Sequence, residues 1–231
     1  MSDQGKGSGG ATGAAARVFG KGLAGVFGAA GRLRPATKPL HPRGSVHAAT
    51  LERVGLSEPT GVDWLDTGGV DEVLVRLSRS VGLPGPVPDV LGLAIRVPLG
   101  GSRHGDLLFA TTGSGPIGRF VLRPVRDPAA RYSTLLPYRT PAGSLLLAAA
   151  GITGPAGDLR FDLQVASPPR GPWRRFGSLT VFPEPSPDEY VAFDPMTNPI
   201  AGLEPYDWIR QLRARSYRAA RHSRGDERVQ P

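Results

Sequence analysis

Glycine and proline interrupt this chain at short intervals, which leaves room mainly for short strands. Its 231 residues include 32 glycines and 24 prolines, close to the roughly 25–30% at which disorder is expected when no repeat is present. Hydrophobic residues make up 39%, which argues against disorder throughout. We therefore expect these turn-forming residues to separate the strands of a folded domain.

Segments between the turn-forming residues have the patterns of short strands. In residues 72–80 the apolar side chains alternate with others, so Arg76 and Ser78 point to the same face. About eight strands at this spacing predict an antiparallel barrel or sandwich. The predicted strands are 40–54, 72–80, 91–98, 106–112, 119–125, 144–150, 159–166 and 177–182.

The two ends of the chain differ from its middle. Residues 1–35 are rich in glycine and alanine and are predicted to form a flexible tail followed by a short docking helix, with membrane-surface contact as the alternative. Residues 36–225 are predicted to be one domain, and 226–231 a disordered tail. Within the domain we expect a proline-rich extended segment over 183–205 and a helix from 206 to about 224.

Several classes of protein are excluded by what the sequence lacks. It has no cysteine, so disulfides, thiolate metal sites and cysteine nucleophiles are ruled out. No apolar run approaches the roughly 18–20 residues of a membrane span, and no secretory signal is visible, so we expect a cytoplasmic protein. Phosphate-binding glycine loops, nucleophile-serine motifs and histidine–glutamate zinc motifs are also absent.

The net charge of +8 has its densest cluster near the C-terminus. There Arg210, Arg213, Tyr217, Arg221 and Arg224 follow at steps of three or four, so one tyrosine lies within a stripe of arginines on one helical face. Nearby positive charge favours the phenolate, and tyrosinate is a known axial ligand of heme iron. A solvated basic face or a nucleic-acid contact fits the same spacing. Aromatic residues are only 7%, which disfavours nucleic acid.

His41 lies between prolines just ahead of the first predicted strand. Its local sequence favours the interpretation that it is only a turn residue. His41 and His47 would share a face in an unbroken strand, but Pro42 and Gly44 make such a strand doubtful. The neighbourhood does not supply the further ligands that a non-heme metal site needs.

Taken in order, these segments resemble the heme-binding core of the catalase family over most of residues 38–224. Lys38-Pro-Leu-His41-Pro-Arg43-Gly44 is similar to the family's distal-histidine segment, and Val75-Arg76-Leu77-Ser78 to its Val-Arg-Phe-Ser strand. Five further segments are similar to family motifs: 88–96, 106–108, 192–195, 202–205 and 213–217.

The resemblance implies an α+β, mainly β fold: an eight-stranded antiparallel barrel with flanking helices and a C-terminal helix that carries the proximal ligand. It implies heme b as cofactor, with iron bound by Tyr217 and the phenolate supported by Arg213. His41 would be the distal acid–base group and Ser78 would orient it. Three basic residues match positions that meet the heme propionates: Lys38, Arg76 and Arg224.

The chain departs from the family pattern in three respects. Phe109-Ala110-Thr111-Thr112 stands where catalases have Gly-Asn-Asn-Thr, so the distal asparagine position falls on Thr111, whose hydroxyl has one donor where an amide has two. Lysine at position 38 replaces an arginine, which weakens propionate pairing. The chain is also shorter than common catalases, which implies a heme pocket more open to larger substrates.

The expected function is that of a heme-dependent peroxidase or catalase-like oxidoreductase acting on hydrogen peroxide or organic hydroperoxides, with an organic electron donor as a further candidate partner. A lipid-hydroperoxide isomerase or lyase of the allene oxide synthase type stays open, as does a catalase-fold protein that binds heme without turnover or binds none. We expect no nucleic-acid partner. Because residues 183–205 could wrap a second copy as easily as their own chain, a homo-oligomer is also open.

Overall fold

The computed structural model describes residues 43–80, 86–153, 158–186 and 191–210. The chain divides into two compact units, and the unit of residues 40–206 contains every strand given below. The other unit comprises 1–39 and 207–231, of which 207–210 are described and helical, in agreement with the start of the helix predicted from 206. The predicted boundaries of the tails and of a 36–225 domain stay predictions.

The described residues of the 40–206 unit form a sheet of ten antiparallel strands and two single-turn helices. The helices are α1 (Asp63–Asp66) and α2 (Gly115–Gly118). The strands are β1 (Arg43–Arg53), β2 (Gly69–Arg79), β3 (Leu91–Pro98), β4 (His104–Thr111), β5 (Arg131–Ser133), β6 (Tyr138–Thr140), β7 (Gly143–Thr153), β8 (Leu159–Ala166), β9 (Arg174–Pro185) and β10 (Glu204–Pro205).

Eight of these strands close into a barrel. The order β1-β2-β3-β4-β5-β7-β8-β9 follows the chain, and β9 pairs back with β1, for example through Thr180 and Thr50. β6 pairs with the start of β7, and β5 pairs with the later part of β7. β10 pairs with β6, so β6 and β10 extend the sheet outside the closed ring. The prediction of a mainly β protein with an eight-stranded antiparallel barrel is confirmed.

Every second side chain of these strands points into the barrel and fills it. On β2, Val73 and Val75 point inward, and Val75 is in register with the fully buried Ile95 on β3. Aromatic rings such as Phe161 and Phe176 complete the core. Burying one such side chain contributes about 1.5–3 kcal/mol. Because the interior is packed with side chains, it leaves no space for a large ligand.

The predicted strand at 119–125 is wrong. This segment follows α2 and makes only single bridges, from Leu122 to Thr112 and from Val125 to Asp89. Pro124 has no N–H to donate to a strand neighbour, and the turn of α2 precedes the segment, so it does not enter a ladder. β5, which was not predicted, takes the place of this segment as the eighth strand of the barrel.

Among the residues that the structure describes, we find no helix with the length and apolar character needed to span a membrane.

Candidate functional site

Arg76 and Ser78 lie on the outward face of β2, on the side opposite Val73 and Val75. Ser78 is in register with Gly44 on β1 and with Gly92 on β3, and Gly92 is in register with Ala110 on β4. We call these four residues, Gly44, Ser78, Gly92 and Ala110, the small-residue row. It crosses four strands with no side chain larger than that of serine, so a flat ligand can approach the backbone closely.

Arg76 lies beside the small-residue row. It is in register with Val46 on β1 and with Ala94 on β3. Ala94 is 8% exposed. A Cβ added to Gly44 would lie 3.2 Å from Nη2 of Arg76, 2.7 Å from the carbonyl oxygen of Leu77 and 3.0 Å from Cβ of Ser78. The absence of a side chain at position 44 therefore keeps space for the guanidinium next to Ser78.

The structure does not bring Thr111 together with Ser78. Thr111 is fully buried, its Oγ1 donates to the carbonyl oxygen of Arg123 at 2.7 Å, and it accepts from the backbone N–H of Leu91 at 3.1 Å. The residue of β4 that shares the outward row with Ser78 is Ala110. This geometry argues against a role for Thr111 as a donor to a ligand on that surface, because its only hydroxyl proton is already used and its side chain is on the other face of the sheet.

Five of the residues assigned from the resemblance lie outside the described residues: Lys38, His41, Arg213, Tyr217 and Arg224. Their roles stay predictions. His47 is described and has a structural role: its Nε2 is 2.7 Å from Oγ of Ser45, and its Nδ1 is 3.0 Å from the carbonyl oxygen of Phe182. Within the described ranges no group of three or more histidine, aspartate and glutamate side chains is arranged to hold a metal ion.

Three segments that carry the resemblance meet at Asp106. Its carboxylate accepts two hydrogen bonds of 2.8 Å from Nε and Nη2 of Arg96 on β3. It also accepts from the backbone N–H of Asp194 at 2.8 Å and from Nδ2 of Asn198 at 2.9 Å. Arg96 in turn donates to the carbonyl oxygen of Ala192. The barrel thereby holds the segment that begins at residue 191.

The electrostatics of this cluster follow from burial and pairing. Burial alone would raise the pKa of Asp106, but the hydrogen bonds from Arg96, Asn198 and the Asp194 N–H outweigh it and hold that pKa below its usual value. Arg96 also lies 5.0 Å from the ring centre of Phe193. Sequence reasoning did not find this cluster, because Asp194 and Asp106 are far apart in the chain.

Comparisons with known proteins support the fold and identify no family. No family model matches the chain, and no curated protein matches it either. The chain is similar to a solved structure described as that of a bacterial catalase, with a TM-score of 0.55 and 14% sequence identity. The similarity covers 97% of this chain and 62% of the other, so this chain spans less than two thirds of that catalase. At this identity the comparison shows the fold alone, which is a closed antiparallel β-barrel like that of the catalase.

Proposed function

We propose that this protein is a heme-dependent oxidoreductase with peroxidase or catalase-like activity on hydrogen peroxide or organic hydroperoxides. The observation that carries the proposal is the outward surface of β1 to β4. There a cationic side chain, Arg76, and a hydroxyl, Ser78, flank a row of small residues on a barrel of catalase-like fold.

The described residues fit heme b. A flat porphyrin can pack against the small-residue row, where Gly44 and Gly92 have no side chains to hold it away. The guanidinium of Arg76 can pair with a propionate through two parallel hydrogen bonds. Lys38 and Arg224 are proposed to bind propionates as well, and Tyr217, supported by Arg213, to bind the iron.

When bound, heme supplies a redox-active iron that can react with peroxides. The acid–base work is proposed for His41, which accepts the proton of the hydroperoxide and returns it to the oxygen that leaves as water or alcohol. Ser78 is a positioning residue that orients the imidazole. Arg76 holds the cofactor.

Ala110 bears on the choice of substrate. Catalases have asparagines at the positions aligned with Ala110 and Thr111, and of these two residues Ala110 faces outward in the small-residue row. A methyl group therefore replaces an amide there, and Ser78 is the one polar side chain of the row. A surface with fewer donors is less suited to holding hydrogen peroxide and leaves room for an apolar substituent. We therefore keep, as a second candidate function, the rearrangement or cleavage of lipid hydroperoxides.

The test is a spectrum followed by two assays. The full-length chain is produced with added heme precursor, its visible spectrum is recorded, and oxygen release from hydrogen peroxide is compared with oxidation of an organic donor. Donor oxidation exceeding oxygen release supports the peroxidase function. Conversion of a lipid hydroperoxide without a donor supports the second candidate. A protein that binds heme but turns over none of these substrates contradicts the enzyme proposal.

A further inference from the structure

A second site lies where β4 ends and β5 begins, and it contains none of the residues assigned to heme. It is a cavity of about 450 Å³ that is open to solvent. The residues of its lining that can bind a ligand through charge or hydrogen bonds are Thr112, Ser114, Arg123, Arg126, Asp127 and Arg131. This volume is within the range of roughly 300–1,000 Å³ typical of small-molecule sites.

The arginines of this cavity are not neutralised by carboxylates. In the described part of the chain, none of Arg123, Arg126 and Arg131 is within ion-pair distance of an aspartate or glutamate. Asp127 also lines the cavity, but its Oδ1 accepts from the backbone N–H of Ala129 instead. The lining therefore has a formal charge of +2.

Neutral partners hold two of these side chains in place. Nε of Arg126 donates to the carbonyl oxygen of Pro86 at 2.8 Å, and Nη1 of Arg131 donates to Oε1 of Gln164 at 3.2 Å. The side chain of Arg123 makes no hydrogen bond within the described ranges, so its five donors can all serve a ligand.

A further cation shares an aromatic ring with Arg131. Arg119 and Arg131 both lie over the ring of Trp173, at 4.6 and 5.3 Å from its centre. Arg119 is 4% exposed and donates to the carbonyl oxygens of Gly115 and Gly171, not to a carboxylate. Burial, and to a lesser extent repulsion from Arg119, lower the pKa of Arg131. An anion next to Arg131 would relieve this repulsion.

Thr112, which lines the cavity, has a buried hydroxyl without a partner in the described part of the chain. Thr112 is 3% exposed, and its Oγ1 makes no hydrogen bond within the part of the chain that the structure describes. Its backbone N–H donates to the carbonyl oxygen of Arg131 at 3.0 Å, which holds the two residues side by side. A buried hydroxyl left unpaired costs about 1–3 kcal/mol, so this group is a ready donor for a ligand.

We propose that this cavity binds the phosphate group of a small organic phosphate monoester. The monoester carries a charge of about −1.5 to −2 at neutral pH, which matches the +2 of the lining. Arginine side chains suit phosphate because their planar fork donates two parallel hydrogen bonds. The Thr112 hydroxyl donates to a further phosphate oxygen, and the remaining volume takes the organic group. This site is independent of the heme proposal.

Calorimetric titration of the full-length protein with phenyl phosphate, and separately with inorganic phosphate, tests this site. We expect saturable binding that is tighter for phenyl phosphate and weakened about tenfold or more by Arg123→Ala. Arg103→Ala is the matched control, since Arg103 is exposed on the β3–β4 loop, and should leave the affinity unchanged.

Thr112→Val separates binding from folding. If the hydroxyl serves the ligand, this variant keeps or raises the thermal midpoint without ligand and binds phenyl phosphate several-fold more weakly. The proposal is overturned if neither probe binds at millimolar concentration, or if Arg123→Ala or Thr112→Val binds phenyl phosphate as tightly as the wild type. Equal affinity for the two probes would overturn the monoester assignment.

Discussion

Arg96 and Asp106 form a two-point ion pair across β3 and β4, with both nitrogen–oxygen distances at 2.8 Å. The pair is nearly enclosed, since the side chains are 20% and 0% exposed. The same carboxylate receives the backbone N–H of Asp194. One aspartate thus connects the barrel to the segment that begins at residue 191.

Replacing Asp106 by alanine should destabilise the protein by about 3–5 kcal/mol, because it leaves the guanidinium of Arg96 partly buried without its partner. Urea denaturation measures the loss. Asp162→Ala is the matched control, because it breaks an equally short ion pair with Arg175. The side chains of Arg175 and Asp162 are 46% and 31% exposed, so the loss of this pair should cost less than about 1 kcal/mol. Equal losses in the two variants would contradict the account of Asp106.

The stability of the protein should depend on pH through the same carboxyl. Because the folded-state pKa of Asp106 is lowered, its contribution is complete above the unfolded value of about 3.9 and is lost as pH falls through the folded pKa. Urea midpoints between pH 6 and pH 2 measure this. Asp106→Asn should reduce the loss of stability on acidification, and a pH profile parallel to that of the wild type would refute the assignment.

Placing an amide on the small-residue row should change the chemistry. Ala110→Asn adds donors beside Ser78 and should raise oxygen release from hydrogen peroxide, per heme bound, by about tenfold, the value of one net hydrogen bond. Thr111→Asn is the informative control. It removes two buried hydrogen bonds and should cost about 2–4 kcal/mol of stability without raising turnover. Higher turnover in Thr111→Asn alone would restore the role first expected of Thr111.

Arg76→Ala should weaken heme binding about tenfold or more, because it removes a charged partner of a propionate. Titration of the heme-free protein with hemin, followed at the Soret band, gives the affinity. The exposed Arg103→Ala again serves as control. If the two variants bind hemin equally well, Arg76 does not contact the cofactor.

Much of the barrel could be predicted because strand alternation is a local signal. The period of two put Arg76 and Ser78 on one face, and strands such as β3 and β8 were predicted with the bounds that the structure has. Three strands were not predicted: β5, β6 and β10. Each has only two or three residues, too few to show an alternating pattern, and forms by pairing with a neighbouring strand. The segment 119–125 has the apolar content of a strand, but Pro124 and the preceding turn keep it out of the sheet.

The site was harder to predict because a shift of one residue along a strand changes the face. The distal asparagine of the family motif could be aligned with Thr111 or with Ala110. Only the pairing of Gly92 with Ala110 shows which of the two faces outward. The cluster at Asp106 and the arginine cavity depend on contacts between distant segments, which no local pattern reveals.

The proposal depends most directly on the iron ligand, and one spectrum tests it. The full-length protein reconstituted with heme should bind one equivalent and show a Soret band, and Tyr217→Phe should shift or abolish that band. Tyr206→Phe, which removes a hydroxyl hydrogen-bonded to Ser144, is the matched control and should leave the band unchanged. A wild-type protein that binds no heme, or a Tyr217→Phe spectrum identical to that of the wild type, would contradict the account.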